Sequence, residues 1–357
     1  MSEMDEIVRI VRNVLFALAL ASILTFADDY YSNPVVDLKY STADVCVWEN
    51  AGTYYLFHTT YFNRLHILES SNLVEWSDTG IDLFDKETVE IMRDYLKKSG
   101  VTNCFSKVDC WAFWAPNVVK IKNKWNIYFS LANKGGILVL QSDSPTGPFR
   151  FVGKPKALVD HKMMGWSYDA IDPFVTEENG KVWLFFGSAF GIYRHQLTED
   201  GLDLFPGGTF TLVVGPTDPK QLVNGEKHGG YEGVYLYRCN GFWYCIVSKR
   251  QDYSLYVGRS KSITGEFVDA EGKRLIEGYG TRMNFPTEKY PGPGHNGEII
   301  KDSTGHYYIF YHAWIKDKNG HYHMRKTMLS ELVWEHGFPH ILDYKLKERN
   351  NRFPILR

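Results

Sequence analysis

Aromatic-rich apolar runs recur along the chain, at residues 53–58 (TYYLFH), 124–129 (KWNIYF), 181–186 (KVWLFF), 241–246 (GFWYCI) and 306–311 (HYYIFY). Short runs of β-branched and aromatic residues read as strands. Their spacing is roughly 57 to 71 residues, slightly longer than typical propeller-blade repeats. A turn signal precedes each run: Asn50-Ala51-Gly52, Asn123, Asn179-Gly180, Asn240-Gly241 and Ser303-Thr304-Gly305. Ahead of each turn lies another β-prone stretch, at 45–48, 118–121, 174–175, 234–237 and 299–300. Asn/Gly turns of this kind join antiparallel strands into hairpins. One hairpin cannot bury both of its faces, so five alike predict an all-β fold, a five-bladed β-propeller whose blades stack around an axis. A β-sandwich with coincidental spacing is the competing architecture. Residues 86–98 carry the one helical pattern, with Val89, Met92, Tyr95 and Leu96 on an apolar face. It predicts a short helical insertion between blades 1 and 2.

Composition agrees with a β-rich body: 15% of the 357 residues are aromatic. The formal charge is only -2, which gives no electrostatic footprint for nucleic acid. The N-terminus differs from the rest. Arg9 and Arg12 precede an apolar run, 14–26, that ends at Ala27 before Asp28-Asp29. The run is short for a membrane span, and Thr25-Phe26-Ala27 offers a cleavage site. Residues 1–27 therefore read as a signal peptide, with an uncleaved anchor as the alternative. The expected mature chain, 28–357, is a single catalytic propeller without a membrane-spanning segment, exported to the periplasm or outside the cell. Five cysteines, with no CxxC pair, argue against a thiolate metal site. Cys104 and Cys110 are close enough in sequence to bridge in an oxidising compartment, and free buried thiols are the equal alternative.

Asp44, Asp172 and Glu232 each open the strand ahead of a hairpin turn, in the first, third and fourth repeats. The first strand of a blade lines the channel, so these three acids are expected to share a pocket. Like charges in confinement push pKa values apart, which lets one carboxyl stay protonated while another ionises. Cleavage of a glycosidic bond needs that pairing: an acid for the leaving oxygen, and a carboxylate that activates water or attacks carbon. Taken singly, each acid is as readily a turn residue or a solvated strand end. Trp114 opens the second repeat, where the other blades place acids, and its flat face suits a sugar or a core. His295 opens the fifth between glycines, with room to bind a metal, hold a water or cap a strand.

These residues resemble family 43 of the glycoside hydrolases, five-bladed propellers that include arabinofuranosidases, arabinanases and xylosidases. The likeness runs from Asn33-Pro34-Val35 and Ala43-Asp44 through Ser70-Ser71-Asn72, Trp114-Ala115-Pro116, the Ser142 to Phe149 segment, Ile171-Asp172-Pro173 and Glu232-Gly233 to Gly294-His295-Asn296. The resemblance implies that Asp44 is the general base, that Asp172 orients and tunes its partner, and that Glu232 is the general acid. It also implies that His295 sits near an axial Ca2+ or Na+ ion, and that Arg325 contacts substrate from the last blade. Val45 and Val234 stand in place of prolines common in the family, leaving strand register and subgroup open. The expected activity is inverting release of L-arabinofuranose from arabinan or other arabinose-containing glycans, with no organic cofactor. A β-xylosidase of the same family and a non-catalytic glycan-binding propeller are the alternatives. A retaining fructan-type hydrolase would carry Cys after its general acid, where this chain has Gly233.

Overall fold

The computed structural model describes residues 30–60, 66–98, 113–131, 135–166, 170–188, 190–215, 230–317 and 319–356. The candidate signal peptide, Cys104 and Cys110 lie outside them. Cys46, Cys239 and Cys245 are free. The strands form five antiparallel meanders, which confirms the five-bladed propeller. Blade 1 runs through Ala43–Asn50, Thr53–Thr59, His66–Ser70 and Ser77–Asp82. Blade 2 has Phe113–Ile121, Lys124–Leu131 and Gly136–Ser142. Blade 3 comprises Phe174–Glu178, Lys181–Ser188, Gly191–Gln196 and Thr211–Val214. Blade 4 follows with Tyr231–Cys239, Phe242–Lys249, Ser254–Ser260 and Thr281–Arg282. Blade 5 contains Ile299–Lys301, Tyr307–Lys316, Tyr322–Glu335 and Phe338–Ile341.

The helix Lys86–Lys98 falls between blades 1 and 2, as its pattern predicts. Asp85 caps it by accepting the Thr88 N–H at 2.8 Å, and Met92 is fully buried on its inner face. The aromatic runs are buried between blades. Phe113 stacks on Phe129 with ring centroids 4.2 Å apart, and Trp48 meets Trp125 edge-on at 4.7 Å across the gap between blades 1 and 2. Each such pair contributes about 0.5–1.5 kcal/mol beyond the area it buries.

Two tiers of hydrogen bonds tie neighbouring blades together around the channel. In the first tier, the residue that ends the second strand's core takes a backbone N–H from the next blade. Thr59 Oγ1 accepts from Ala115 at 2.9 Å, Ser130 Oγ from Asp172 at 3.0 Å, Ser248 Oγ from His295 at 2.6 Å, and His312 Nδ1 from Asp44 at 3.2 Å. One strand-step further along, Cys46 Sγ accepts from Val118, Asn117 Oδ1 from Val175, and Tyr235 Oη from Ile299. Glu298 closes that tier by accepting the N–H of Val47 through Oε2. Blade 5 is sealed to blade 1 by the segment ahead of Asp44. Asn33 is buried and pairs both ways with the backbone of Leu329, Nδ2 to O at 2.8 Å and N–H to Oδ1 at 2.9 Å. Thr42 N–H meets the Arg325 carbonyl at 2.9 Å, and Tyr30–Tyr31 pairs with Asn351–Arg352.

Candidate active site

The first strands begin alike in all five blades. Asp44, Ala115, Asp172, Gly233 and His295 share a left-handed backbone, with φ of 53°, 45°, 58°, 64° and 46°. Each stands two residues before the first in-channel position, Cys46, Asn117, Phe174, Tyr235 or Gly297. An extra residue lies at the start of blades 1, 2 and 4, where the register shifts between Ala43 and Cys46, Trp114 and Asn117, and Glu232 and Tyr235. Left-handed backbone at Asp44, Asp172 and His295 carries strain that persists only where the surroundings hold it. Here the inter-blade bonds do so. This corrects the equivalence drawn from the sequence. Asp44, Asp172 and His295 are true counterparts, whereas Glu232 and Trp114 lie one residue earlier in their blades. Blades 1, 2 and 4 share the bulge, and the functional side chain stands on its first residue in blades 2 and 4 but on the next residue in blade 1, a difference strand spacing alone does not reveal. Val45 and Val234 share their position with Pro116 and Pro173, so the loss of proline leaves the carboxylate-bearing backbone unchanged.

Asp44 is 6% exposed and densely held. Its Oδ2 accepts the Thr59 hydroxyl at 2.5 Å, while Oδ1 faces Arg325 Nη1 at 3.1 Å and His295 Nδ1 at 3.1 Å. Burial works to raise its pKa, but the charges of Arg325 and His295 and the hydrogen bond of His295 hold it well below the usual carboxylate range. Asp172 behaves oppositely. Burial pushes it up to about 7, opposed by His295 and reinforced by Glu232 and Asp44. Its Oδ2 accepts the Gly233 N–H at 3.1 Å, fixing the residue that follows Glu232. Glu232 Oε2 accepts the Ser188 hydroxyl at 2.8 Å, with Arg250 Nε 3.8 Å away.

His295 lies between the two aspartates, 3.1 Å from Asp44 and 3.8 Å from Asp172. Burial disfavours its cation, yet Asp44 and Asp172 outweigh it and raise the imidazole to about 9. Its ring rests on Gly233, where a Cβ would come within 2.8 Å of His295 Cγ. His312 is driven the other way, down to about 4, first by burial. It is therefore a neutral acceptor for the Asp44 N–H. Among the described residues no three His, Cys, Asp or Glu side chains gather as a metal set. His295 Nδ1 faces the two aspartates, which leaves Nε2 as the ring nitrogen that could meet a water or an ion.

Asp44, Asp172, His295 and Arg325 thus meet directly, and Glu232 joins them through the Gly233 N–H and the field it exerts on Asp172. Trp114 lies on the same rim, half-buried, with an indole N–H that finds no protein partner. Its blade reaches Asp44 through the neighbouring Ala115 and Thr59. Sequence reasoning missed Thr59, Ser130, Ser188, Ser248 and His312. Their signal was present, since each aromatic run is followed within two residues by Thr59, Ser130, Ser188, Ser248 or His312. Tyr253 was missed as well. It stacks on His312 at 5.4 Å, and its phenol is raised far above 10, first by burial and then by the charges of Glu232, Asp44 and Asp172.

The five blades thus gather three carboxylates and a cationic pair, His295 and Arg325, at one mouth of the channel. The model of Glycosyl hydrolases family 43 matches residues 31–339, and the chain belongs to that family. It is 29% identical over 241 residues to extracellular endo-α-(1→5)-L-arabinanase 1 of Bacillus subtilis (strain 168), covering 63% of this chain and 68% of that one. It is 25% identical over 251 residues to extracellular exo-α-(1→5)-L-arabinofuranosidase ArbA of Cellvibrio japonicus (strain Ueda107), covering 65% and 71%. Among solved structures, α-L-arabinanase of Cellvibrio cellulosa complexed with arabinohexaose superposes with a TM-score of 0.67 at 21% identity, covering 87% of this chain and all of that one. Among the described residues no helix is long and apolar enough to cross a membrane.

Proposed function

We propose that this glycosyl hydrolase cleaves α-L-arabinofuranosidic bonds of arabinan in one inverting step, outside the cytoplasm. The observation that carries the reading is the opposed environment of the carboxyls at one mouth: Asp44 held ionised by Arg325 and His295, Asp172 raised to about 7, and Glu232 facing the Ser188 hydroxyl. Asp44 Oδ1 is crowded by donors, whereas Oδ2 takes one hydroxyl and keeps acceptor capacity for a water. In the proposed step Asp44 takes a proton from that water as its oxygen bonds to the anomeric carbon. The glycosidic C–O bond breaks, and the leaving oxygen takes the proton of Glu232. Asp172 positions the acid through the Gly233 N–H. Base and acid on blades 1 and 4 suit the roughly 6.5–9.5 Å carboxyl separation that leaves room for water. The names of the relatives support arabinan as substrate and include both endo and exo action. Release of single arabinofuranose units is the expectation we carry forward.

Purified protein is assayed on arabinan, nitrophenyl arabinofuranoside and nitrophenyl xyloside, and proton NMR reads the first-formed sugar before mutarotation. An inverted anomer is expected. A retained one would exclude Asp44 as a simple base. Glu232→Ala is expected to spare activated aryl glycosides, and Asp44→Ala to abolish both activities. The ion at His295 stays a proposal with its own test. Calcium bound only by the native state raises the melting temperature, and identical curves with calcium and with a chelator in stripped protein would exclude it.

A further inference from the structure

The hairpin of blade 5 is longer than its counterparts. In blades 1 to 3 the second strand ends at or one residue beyond its inter-blade hydroxyl position, at Thr59, Leu131 and Ser188, and in blade 4 it ends at Lys249. In blade 5 it runs past His312 to Lys316, paired as Trp314 with Arg325 and Lys316 with Tyr322. The extension therefore continues beyond the carboxylate end of the channel. Alternation places His312, Trp314 and Lys316 on one face. His312 on that face touches Asp44, so Trp314 follows it along the wall of the mouth.

Neighbouring contacts make this face a continuous aromatic surface. Tyr253 stacks on His312, and a Cβ at Gly292 would lie 3.1 Å from Trp314 Cδ1 and 3.4 Å from Tyr253 Cβ. Gly292 thus lies between the Trp314 ring and the base of the Tyr253 side chain. The Arg325 guanidinium, 3.1 Å from Asp44, lies 5.7 Å from the centre of the Trp314 ring. Trp314 in turn meets Tyr322, with centroids 5.7 Å apart and Tyr322 64% exposed. An exposed tyrosine at the outer end of a partly buried aromatic row is a surface that apolar packing alone does not require. Flat aromatic faces with polar tips suit sugar rings, which present C–H faces and peripheral hydroxyls.

We propose that Tyr253, Trp314 and Tyr322 form a stacking wall for the sugar rings of a glycan chain beyond the ring being cleaved. The wall leads outward from Asp44 and Arg325 along the blade 5 hairpin. It rests on reading the site as a glycosidase, but its ligand class is any oligosaccharide that fits, so arabinan specificity stands or falls separately.

The test is isothermal titration of arabinohexaose and xylohexaose into the full-length chain, made slow by Glu232→Ala, alone and combined with Trp314→Ala, Trp314→Phe or Tyr322→Ala. Loss of one stacked ring is expected to weaken hexaose binding about tenfold for the alanine variants, with Trp314→Phe within about threefold of the parent. In the otherwise native enzyme the loss in kcat/KM should grow as arabino-oligosaccharides lengthen from two to six units. Tyr322 is exposed, so Tyr322→Ala decides the matter if Trp314→Ala folds poorly. Unchanged hexaose affinity in Tyr322→Ala and Trp314→Ala, or a loss independent of chain length, overturns the wall. So does a parent that binds neither hexaose. Ring-dependent binding of xylohexaose alone supports the wall and rejects the arabinan reading.

Discussion

Thr59 donates its hydroxyl proton to Asp44 Oδ2 over 2.5 Å and accepts the backbone N–H of Ala115 at 2.9 Å. One side chain therefore orients the candidate base and joins blade 1 to blade 2. A hydrogen bond to a charged group contributes about 1.5–3 kcal/mol. Thr59→Val keeps the shape and removes the hydroxyl, so kcat/KM on nitrophenyl arabinofuranoside is expected to fall roughly 10- to 100-fold. Thr59→Ser should recover most of it. Equal activity in the valine and native proteins would reduce Thr59 to packing.

Glu298 provides a pH signature away from the acids of the mouth. Burial raises its carboxyl from the ordinary 4.5 to about 7, although the Val47 N–H and the Cys46 thiol oppose the shift. Between those values the folded chain keeps a proton that the unfolded chain releases. The associated stability is full below pH 4.5 and is lost as the pH rises through about 7. Glu298→Gln keeps an oxygen for Val47 and does not titrate. It should match the native protein near pH 4.5 and exceed it at pH 8 by on the order of 2 kcal/mol. Urea midpoints at the two pH values read the difference, and a gap that does not change with pH rejects the assignment.

Gly233 is held to glycine by the His295 ring, 2.8 Å from where a Cβ would stand, and its φ of 64° adds a strain that Asp44, Ala115, Asp172 and His295 bear at the equivalent position. Gly241 has φ of 78° but nothing near its missing Cβ, so Gly241→Ala measures backbone strain alone. Left-handed strain costs about 1 kcal/mol. Gly233→Ala is expected to cost more than Gly241→Ala, and to lower activity by displacing His295. Melting curves and kcat/KM for the pair supply the comparison.

Asn33 satisfies the N–H and the carbonyl of Leu329 at once. Asn33→Ala leaves the Leu329 N–H buried without its partner, while the carbonyl keeps the Tyr31 hydroxyl at 2.9 Å, so roughly 1–3 kcal/mol of stability should be lost. Urea unfolding checks this. A loss under 1 kcal/mol would mean that water replaces the amide and the closure rests on Tyr31 and Thr42.

Blade number and helix position were legible because aromatic runs and Asn/Gly turns repeat at strand length, and the same spacing pointed to Asp44, Asp172 and His295, which the fold brings together. The helix over 86–98 appears with the expected bounds, because its apolar face has a burial partner between blades 1 and 2. The offset of Glu232 and Trp114 was not legible. A bulge adds one residue without changing the hydrophobic pattern, and which of its residues carries the polar side chain differs between blade 1 and blades 2 and 4. His312 escaped notice for a different reason. At the end of an aromatic run it reads as core, and its role follows from a neighbour 268 positions away, Asp44. Tyr253, placed by a left-handed turn between strands, had no pattern at all to announce it.

The contact between Arg325 and Asp44 spans 281 positions in sequence and exists only when blade 5 lies against blade 1. During synthesis the strand bearing Asp44 emerges early and then waits for nearly the whole chain before its cationic partner is made. A nascent chain ending before blade 5 holds Asp44 without Arg325, His295 or His312, so the environment of this candidate base is a property of the completed circle.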